Sequence, residues 1–263
     1  MSTGHIGVQG VRLHYRLDGP EGAPVLMLAN SLGTTLDMWS PQLGDLIGRF
    51  RVLRYDIRGH GASDTPIDAY KIDDLGRDAL ALLDALQIDS VHFCGLSLGG
   101  IVGQWLGRHA PARIERLVLA NTAAHLPPPD KWNALMKLAK EKGMPAVVPV
   151  LLDRWLTRGF RLEAPREESR IGDMILAASP LGFAGCCAAL RDVDLRSELK
   201  RIEVPTLVIA GSADAAVPVE DMRALAEAIP AAQLRLLDEA PHFANIERPA
   251  AFTEALLRFL APA

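Results

Sequence analysis

Short apolar runs alternate along this chain with longer stretches in which apolar residues recur at helical spacing. Residues 11–17 alternate strictly between apolar and polar, as a half-exposed antiparallel strand does, and we expect them to pair with a strand before Gly10. Further apolar runs predict buried strands at 25–29, 52–55, 91–94, 114–119, 206–210 and 234–237. Buried strands separated by helical stretches are typical of an α/β fold built on a mostly parallel sheet.

Helical spacing between these runs predicts helices at about 73–87, 98–109, 219–229 and 248–260. Two of the helices carry start signals, with Asp73 as a predicted N-cap and Pro249 early in the last helix.

The alternation of strand and helix stops between about residues 123 and 195, where three prolines precede helical patterns without a convincing buried strand. We therefore expect three segments: a first core part at 1–122, a helical lid at 123–195 and a second core part at 196–263. An insertion at this point would lie over the carboxyl ends of the strands, where open α/β sheets bind their ligands.

Composition narrows the class of protein. A chain of 263 residues with 49% hydrophobic residues can bury a large core without a metal or a disulfide. The net charge of −4 argues against a nucleic-acid partner, and no basic cluster indicates a membrane surface. No signal peptide and no apolar run of membrane-spanning length is visible. The odd number of cysteines, 3, favours reduced thiols and a cytoplasmic protein, and a homo-oligomer is compatible with the sequence.

The strongest chemical signal is a glycine-flanked serine. Gly95, Ser97 and Gly99 form the pattern G-x-S-x-G directly after a predicted strand and directly before a predicted helix. A turn this sharp excludes side chains at the glycine positions and exposes the serine hydroxyl at the end of the sheet. The helix N-terminus beneath it favours developing negative charge. Ser97 is therefore the predicted nucleophile.

A serine nucleophile needs a base that a third group holds in place. His242 lies in a late loop after the last predicted strand, and Asp214 follows the strand before it. Both side chains would emerge at the same sheet edge as Ser97, so we expect His242 to accept the serine proton and Asp214 to orient its imidazole. Asp238 and Glu239 remain alternatives for the carboxylate.

A tetrahedral intermediate also needs two N–H donors. The backbone of Leu98, directly after the nucleophile, is the first candidate. The second should come from the loop after the strand at 25–29, with Leu32 preferred and its neighbour Ser31 as the alternative.

Other polar residues are weaker candidates. Arg58 lies in a glycine-punctuated turn after a strand, which indicates a structural role, although its side chain could line the pocket. His125 stands at the entry to the predicted lid and could face the pocket. We see neither a dinucleotide motif nor metal-ligand spacing, and we expect no cofactor and no metal.

Taken together, these residues resemble those of the α/β-hydrolase superfamily over essentially the whole chain, which implies the α/β-hydrolase fold: a mostly parallel eight-stranded sheet with flanking helices and an inserted helical lid. Within the superfamily the chain resembles bacterial 3-oxoadipate enol-lactonases of the β-ketoadipate pathway. The residues that carry this resemblance are the loop at 30–35 with Met38 and Trp39, the elbow at 95–100, the segment at 121–124, and Trp132 with Asn133.

The resemblance implies hydrolysis of a five-membered enol-lactone that carries a free carboxylate. That carboxylate would need a cationic or donor-rich partner, for which Lys131, Trp132 and Arg154 in the lid and Arg58 below it are candidates. The same catalytic residues would serve a general carboxylesterase or a carbon–carbon bond hydrolase. A cofactor-free haloperoxidase or perhydrolase activity would be a side reaction of the same site. A ligand receptor that binds without turnover is a rival from another class.

Overall fold

An eight-stranded sheet organises the chain in the computed structural model, which describes residues 2–230 and 232–261. The strands are β1 (Ser2–Val8), β2 (Val11–Asp18), β3 (Val25–Ala29), β4 (Arg51–Tyr55), β5 (Val91–Leu96), β6 (Ile114–Ala120), β7 (Thr206–Gly211) and β8 (Ala232–Leu237). Their order across the sheet is β1-β2-β4-β3-β5-β6-β7-β8. Strand β2 pairs antiparallel with β1 and β4, and every other pair is parallel. The predicted fold, including the antiparallel start, is confirmed.

Helices connect the strands and form the segment between β6 and β7. They are α1 (Ser40–Leu46), α2 (Ile72–Ala85), α3 (Leu98–His109), α4 (Pro129–Lys142), α5 (Met144–Trp155), α6 (Arg158–Glu163), α7 (Pro165–Leu176), α8 (Pro180–Asp192), α9 (Val219–Ala228), α10 (Ala244–Glu247) and α11 (Pro249–Leu260). Pro249 occupies the first turn of α11, as predicted.

The predicted N-cap of α2 is wrong. The helix begins at Ile72, one residue before Asp73, and the N-terminal signal lies in Asp74 instead. Its carboxylate accepts the backbone N–H of Lys71 at 2.8 Å, an interaction that satisfies a backbone donor at the start of the helix. Consecutive aspartates made the position ambiguous by one residue in the sequence.

The core sits on both faces of the central strands. All residues of β5 are buried, which explains why this strand reads as a continuous apolar run rather than an alternating one. The edge strand β8 alternates between exposed and half-buried positions, with Gln233 and Arg235 exposed. Polar residues near the start of β8 interrupt the apolar run, so the predicted strand at 234–237 begins two residues later than the observed one.

The segment between β6 and β7 contains α4 to α8 and adds no strand to the sheet, as all of its residues are described. Helix α4 packs against α8, and α5 packs against α7. Helix α8 begins next to the loop after β4, where Gly182 approaches Gly59 closely. This segment, hereafter the inserted segment, is thus a helical layer joined to the sheet.

Two further features are the absence of a single membrane-spanning helix among the described residues and the burial of the cysteines. Across the described ranges, no single helix combines the length and apolar composition needed to cross a membrane; α7 and α8 meet those criteria only as a pair, with a 91° bend between them. Cys94, Cys186 and Cys187 are all buried and free.

Candidate active site

Ser97 is the single residue between β5 and α3, and the backbone there is left-handed, with φ 57° and ψ −113°. Its N–H donates to the carbonyl of Ala120 at 2.9 Å, which ties the turn to the neighbouring strand. A Cβ on Gly95 would lie 2.1 Å from the carbonyl oxygen of Gly99, and a Cβ on Gly99 would lie 2.2 Å from that of Ala29. The two glycines are therefore required by space, and Ser97 bears the strained conformation that the sequence pattern predicted.

His242 and Asp214 form a buried pair. The Nδ1 atom of His242 lies 2.9 Å from Oδ2 of Asp214, and both side chains are almost fully shielded from solvent. The other oxygen, Oδ1, accepts the backbone N–H groups of Ala216 at 2.7 Å and Val217 at 2.9 Å. With Nδ1–H donating to the carboxylate, the Nε2 atom of His242 is left as the proton acceptor.

Burial by itself opposes the charge on Asp214. The adjacent His242, together with hydrogen bonds from His242, Asn121 and the Val217 N–H, outweighs that effect and holds the pKa of Asp214 below its usual value. The carboxylate is thus ionised at neutral pH and available to stabilise an imidazolium.

The two alternative carboxylates lie elsewhere. Asp238 and Glu239 are exposed, and the carboxylate of Glu239 lies 3.4 Å from Arg248. Of the three acidic residues that the sequence offered, Asp214 contacts the imidazole of His242.

Ser97 and His242 line the same cavity. Its wall is otherwise mainly apolar and comes from both the sheet edge and the inserted segment. The lining residues are Leu32, Ser97, Leu126, Lys131, Trp132, Leu135, Leu151, Arg154, Trp155, Leu190, Ala216, Val217 and His242. An apolar cavity with a nucleophile, a base and few other polar groups is typical of a small-molecule site.

The backbone N–H groups of Leu98 and Leu32 are the predicted oxyanion donors. Leu98 is the first residue of α3 and Leu32 lines the cavity. Among the described residues neither backbone N–H donates to an acceptor within the chain, so both remain available for an oxyanion. The loop that carries Leu32 is anchored, because the Asn30 amide donates to the carbonyl of Tyr55 at 2.8 Å.

Two cations of the inserted segment reach the cavity. Lys131 and Arg154 both line it, and the Lys131 Nζ lies 4.7 Å from the centre of the Trp132 ring. Burial, followed by the nearby charge of Arg154, lowers the pKa of Lys131 to about 8. Cations held this way in a mostly apolar cavity favour an anionic group on the ligand.

Three other candidates lie apart from this cavity, whose lining among the described residues does not include them. Arg58 donates two hydrogen bonds of 2.6 Å to the carboxylate of Asp78. His125 donates its Nδ1–H to the carbonyl of Val193 at 3.0 Å and lines a different depression. Ser31 is buried, and its backbone N–H donates to the sulfur of Met38 at 3.2 Å. This lining does not support the pocket roles considered for Arg58 and His125 or the oxyanion role considered for Ser31, and all three stay predictions.

Trp155 is a site residue that sequence reasoning missed. Its indole stacks on the imidazole of His242, with ring centroids 6.0 Å apart and planes 29° apart, and its carbonyl accepts the N–H of Phe243 at 3.1 Å. It also lines the cavity. No local motif marks it, because Trp155 and His242 meet only through the packing of the inserted segment on the sheet.

Comparisons with known proteins agree with this geometry. The alpha/beta hydrolase fold family matches residues 24–142. A 3-oxoadipate enol-lactonase of Acinetobacter baylyi is 42% identical over 94% of this chain and 92% of its own length. A putative carbamate hydrolase of Variovorax paradoxus is 33% identical over 95% of this chain and 96% of its own length. The crystal structure of the enol-lactonase from Burkholderia xenovorans is similar at 42% identity and a TM-score of 0.96, over 98% of this chain and 99% of that one.

Proposed function

Because this chain belongs to the α/β-hydrolase family, we propose that it is a serine hydrolase that opens 3-oxoadipate enol-lactone to 3-oxoadipate. The observation that carries the proposal is the shared cavity of Ser97 and His242, with Asp214 bonded to the far side of the imidazole. Its likeness to enol-lactonases, at 42% identity in the two named above, supports the choice of substrate.

In the first half of the reaction, the Ser97 hydroxyl adds to the lactone carbonyl while Nε2 of His242 takes its proton. The backbone N–H groups of Leu32 and Leu98 bind the oxyanion. Collapse of the tetrahedral intermediate breaks the ring C–O bond, and His242 returns the proton to the enol oxygen. The leaving enol stays attached to the acyl chain and becomes a ketone by tautomerisation.

In the second half, water adds to the acyl-enzyme. His242 takes the proton of the water, the N–H groups again bind the oxyanion, and Ser97 leaves as its hydroxyl after receiving that proton. The product is a free dicarboxylate. Asp214 stays ionised throughout and stabilises the imidazolium that forms in each half.

The substrate's own carboxylate would lie against Lys131 and Arg154. These cations line the cavity together with Ser97, and Lys131 is desolvated enough to lower its pKa to about 8. Pairing with an anion would offset that desolvation, and charge-assisted hydrogen bonds are stronger than neutral ones. Trp132 supports Lys131 through its ring face and lines the same wall.

We also propose that the inserted segment, assigned to residues 123–195, acts as a lid. Its Leu126, Leu135, Leu151 and Leu190 form the apolar wall opposite the proposed nucleophile. Covering the site in this way would exclude bulk water and strengthen the electrostatic contacts inside it.

The similarity to a putative carbamate hydrolase suggests carbamates as a second substrate class, since Ser97, with His242 and Asp214, could also attack a carbamate carbonyl. The pair of cavity cations favours the lactone, because its separate carboxylate gives them a partner that a small neutral carbamate lacks.

The test is to generate the enol-lactone enzymatically in situ and to follow its ultraviolet absorbance with the wild type and with Ser97→Ala. An aryl acetate and a carbamate are assayed alongside. We expect lactone turnover with kcat/KM of at least about 10⁴ M⁻¹s⁻¹, and a loss of about 10³-fold or more in kcat for the variant. Ser97→Gly, which suits the left-handed backbone, serves as a second variant if Ser97→Ala is unstable.

Matched lysine variants test the substrate's carboxylate. Lys131→Gln should raise KM for the lactone, whereas Lys137→Gln, an exposed lysine on the same helix, should not. If only the aryl ester or the carbamate is turned over, the serine hydrolase assignment stands and the lactone is rejected as the substrate.

A further inference from the structure

Asn121 joins the two loops that carry Asp214 and His242. It follows the last residue of β6 and is fully buried. Its Nδ2 atom donates to Oδ2 of Asp214 at 2.9 Å and to the carbonyl of Pro241, the residue before His242, at 3.3 Å. A single amide group therefore contacts both loops, and Asn121 is not among the residues that line the cavity.

The backbone of Asn121 is built to deliver this amide. Its φ is 45°, a left-handed conformation that asparagine tolerates better than most residues, and its N–H donates to the carbonyl of Ile209 on β7 at 2.9 Å. An ionised carboxylate accepts hydrogen bonds only, so the nitrogen of the amide must face Asp214. The other atom, Oδ1, is buried with no partner among the described residues. A buried amide whose nitrogen has partners while its oxygen has none is costly for stability, which points to another role for this side chain.

We propose that Asn121 is a positioning residue of the catalytic pair. Its amide holds the Asp214 carboxylate and the loop of His242 in a fixed position relative to each other. The inference rests on the proposed role of Asp214 and His242. Two N–H donors, from His242 and Asn121, converge on Oδ2, while two backbone N–H groups hold Oδ1. A carboxylate with four donors has no freedom to rotate away from the imidazole.

The amide also influences proton binding by the pair. The positive end of its N–H dipole lies against Asp214 and lowers the pKa of that carboxyl, in addition to the effects of His242 and against the effect of burial. Removing the amide raises the proton affinity of the coupled pair, and placing a carboxylate at the same position raises it further. Charged groups facing the pair include Lys131, whose charge interacts with Asp214.

The test compares Asn121→Gly and Asn121→Asp with the wild type, using the aryl acetate as well as the lactone. Glycine retains the left-handed backbone and removes the amide, and aspartate retains the shape and adds a charge. We expect kcat to fall by about 10- to 100-fold in Asn121→Gly with KM nearly unchanged, as for loss of a hydrogen bond to a charged group. In a plot of kcat/KM against pH, the acid limb is the range in which activity falls as the pH is lowered. This limb should move to higher pH in the order wild type, Asn121→Gly, Asn121→Asp.

Asn245→Ala is the matched control. Asn245 is also fully buried, also has an unpartnered Oδ1, and donates to the carbonyl of Met38 at 3.1 Å instead of to Asp214. It should lower the thermal unfolding midpoint without moving the acid limb. An acid limb that stays in place in both Asn121 variants overturns the proposal, as does a shift of equal size in Asn245→Ala.

A second readout does not depend on turnover. The His242 imidazole is titrated by NMR in the same variants, and its proton affinity should rise in the same order. If the wild type hydrolyses none of the substrates but this order holds, the proposed function fails and the positioning role stands. If the wild type hydrolyses ester and the His242 titration is identical in all variants, the positioning role fails alone.

Discussion

The Nε2 atom of His60 accepts a hydrogen bond from the backbone N–H of Gly33 at 2.8 Å. Nδ1 of the same ring lies 3.2 Å from the carbonyl of Arg58, to which it donates. His60 is therefore neutral, and it holds the residue next to Leu32, whose N–H is a proposed oxyanion donor. Burial lowers the pKa of His60 and outweighs the opposite effects of the Arg58 carbonyl and Asp56.

Acidification should therefore destabilise the protein through His60. Below the ordinary histidine pKa of about 6.5 the unfolded chain binds a proton that folded His60 does not, so this group lowers stability as the pH falls from that value. The effect is at most about 1.4 kcal/mol for each pH unit. It is measured as the difference in free energy of unfolding between pH 7.5 and pH 5.5.

His60→Gln isolates that contribution, because its amide oxygen can accept the Gly33 N–H at either pH. We expect the variant to lose less stability than the wild type over the same interval. Equal losses in the two proteins would contradict a neutral, titration-resistant His60.

Deprotonation of Lys131 should make kcat/KM for the lactone fall at high pH, which would appear as an alkaline limb in its pH profile. The pKa of Lys131 is about 8, so the charge that binds the substrate carboxylate is present below that pH and lost above it. We expect kcat/KM for the lactone to fall by about 10-fold or more above the limb, in line with loss of a charge-assisted hydrogen bond. The rate is measured from pH 6.5 to pH 9.5 after subtraction of non-enzymatic hydrolysis.

A neutral aryl acetate should lack this limb, because it carries no carboxylate. In Lys131→Arg the lactone limb should disappear from the range, since a guanidinium stays charged. A limb of unchanged position in Lys131→Arg would assign it to another group.

Arg58 should matter for stability and not for binding. Its guanidinium is paired with Asp78, and the two side chains are only 11% and 2% exposed. Asp78→Asn leaves that charge without a carboxylate, which should lower the free energy of unfolding by about 3 kcal/mol in urea titrations. The double variant Arg58→Met/Asp78→Leu should recover most of the loss. A selective rise in KM for the lactone in the double variant would instead return Arg58 to the substrate site.

The contact between Gly182 and Gly59 should tolerate no side chain. A Cβ on Gly182, in α8, would lie 2.3 Å from the Cα of Gly59, so both backbones would have to move. Gly182→Ala should lower the free energy of unfolding by about 2 kcal/mol, as overpacking does. Gly44→Ala, in α1 with no heavy atom within 4 Å of the added Cβ, should instead raise it by up to about 1 kcal/mol. Denaturant midpoints of the two variants should therefore move in opposite directions.

Local crowding and burial explain what could be predicted from the sequence. The strand at Val25–Ala29 and the helix at Leu98–His109 have the predicted bounds. A central parallel strand must be apolar on both faces, and this helix is buried on all sides from its first residue to Gly107, so both read as clear apolar segments. The turn at Ser97 was also predictable, since the glycines that it requires are its immediate neighbours. Asp214 and His242 followed from the order of strands, which sets the sheet edge at which each loop emerges.

What the tertiary structure alone decided are the pairings between distant residues. Arg58 pairs with Asp78, Trp155 stacks on His242, and Asn121 donates to Asp214 across 93 positions of sequence. Hydrophobic patterning predicts which face of an element is buried, but it does not say which side chain of another element lies opposite. A guanidinium, an indole and an amide carry the same local signal whether they face substrate, solvent or one another, so their roles depend on how the inserted segment and the loops pack.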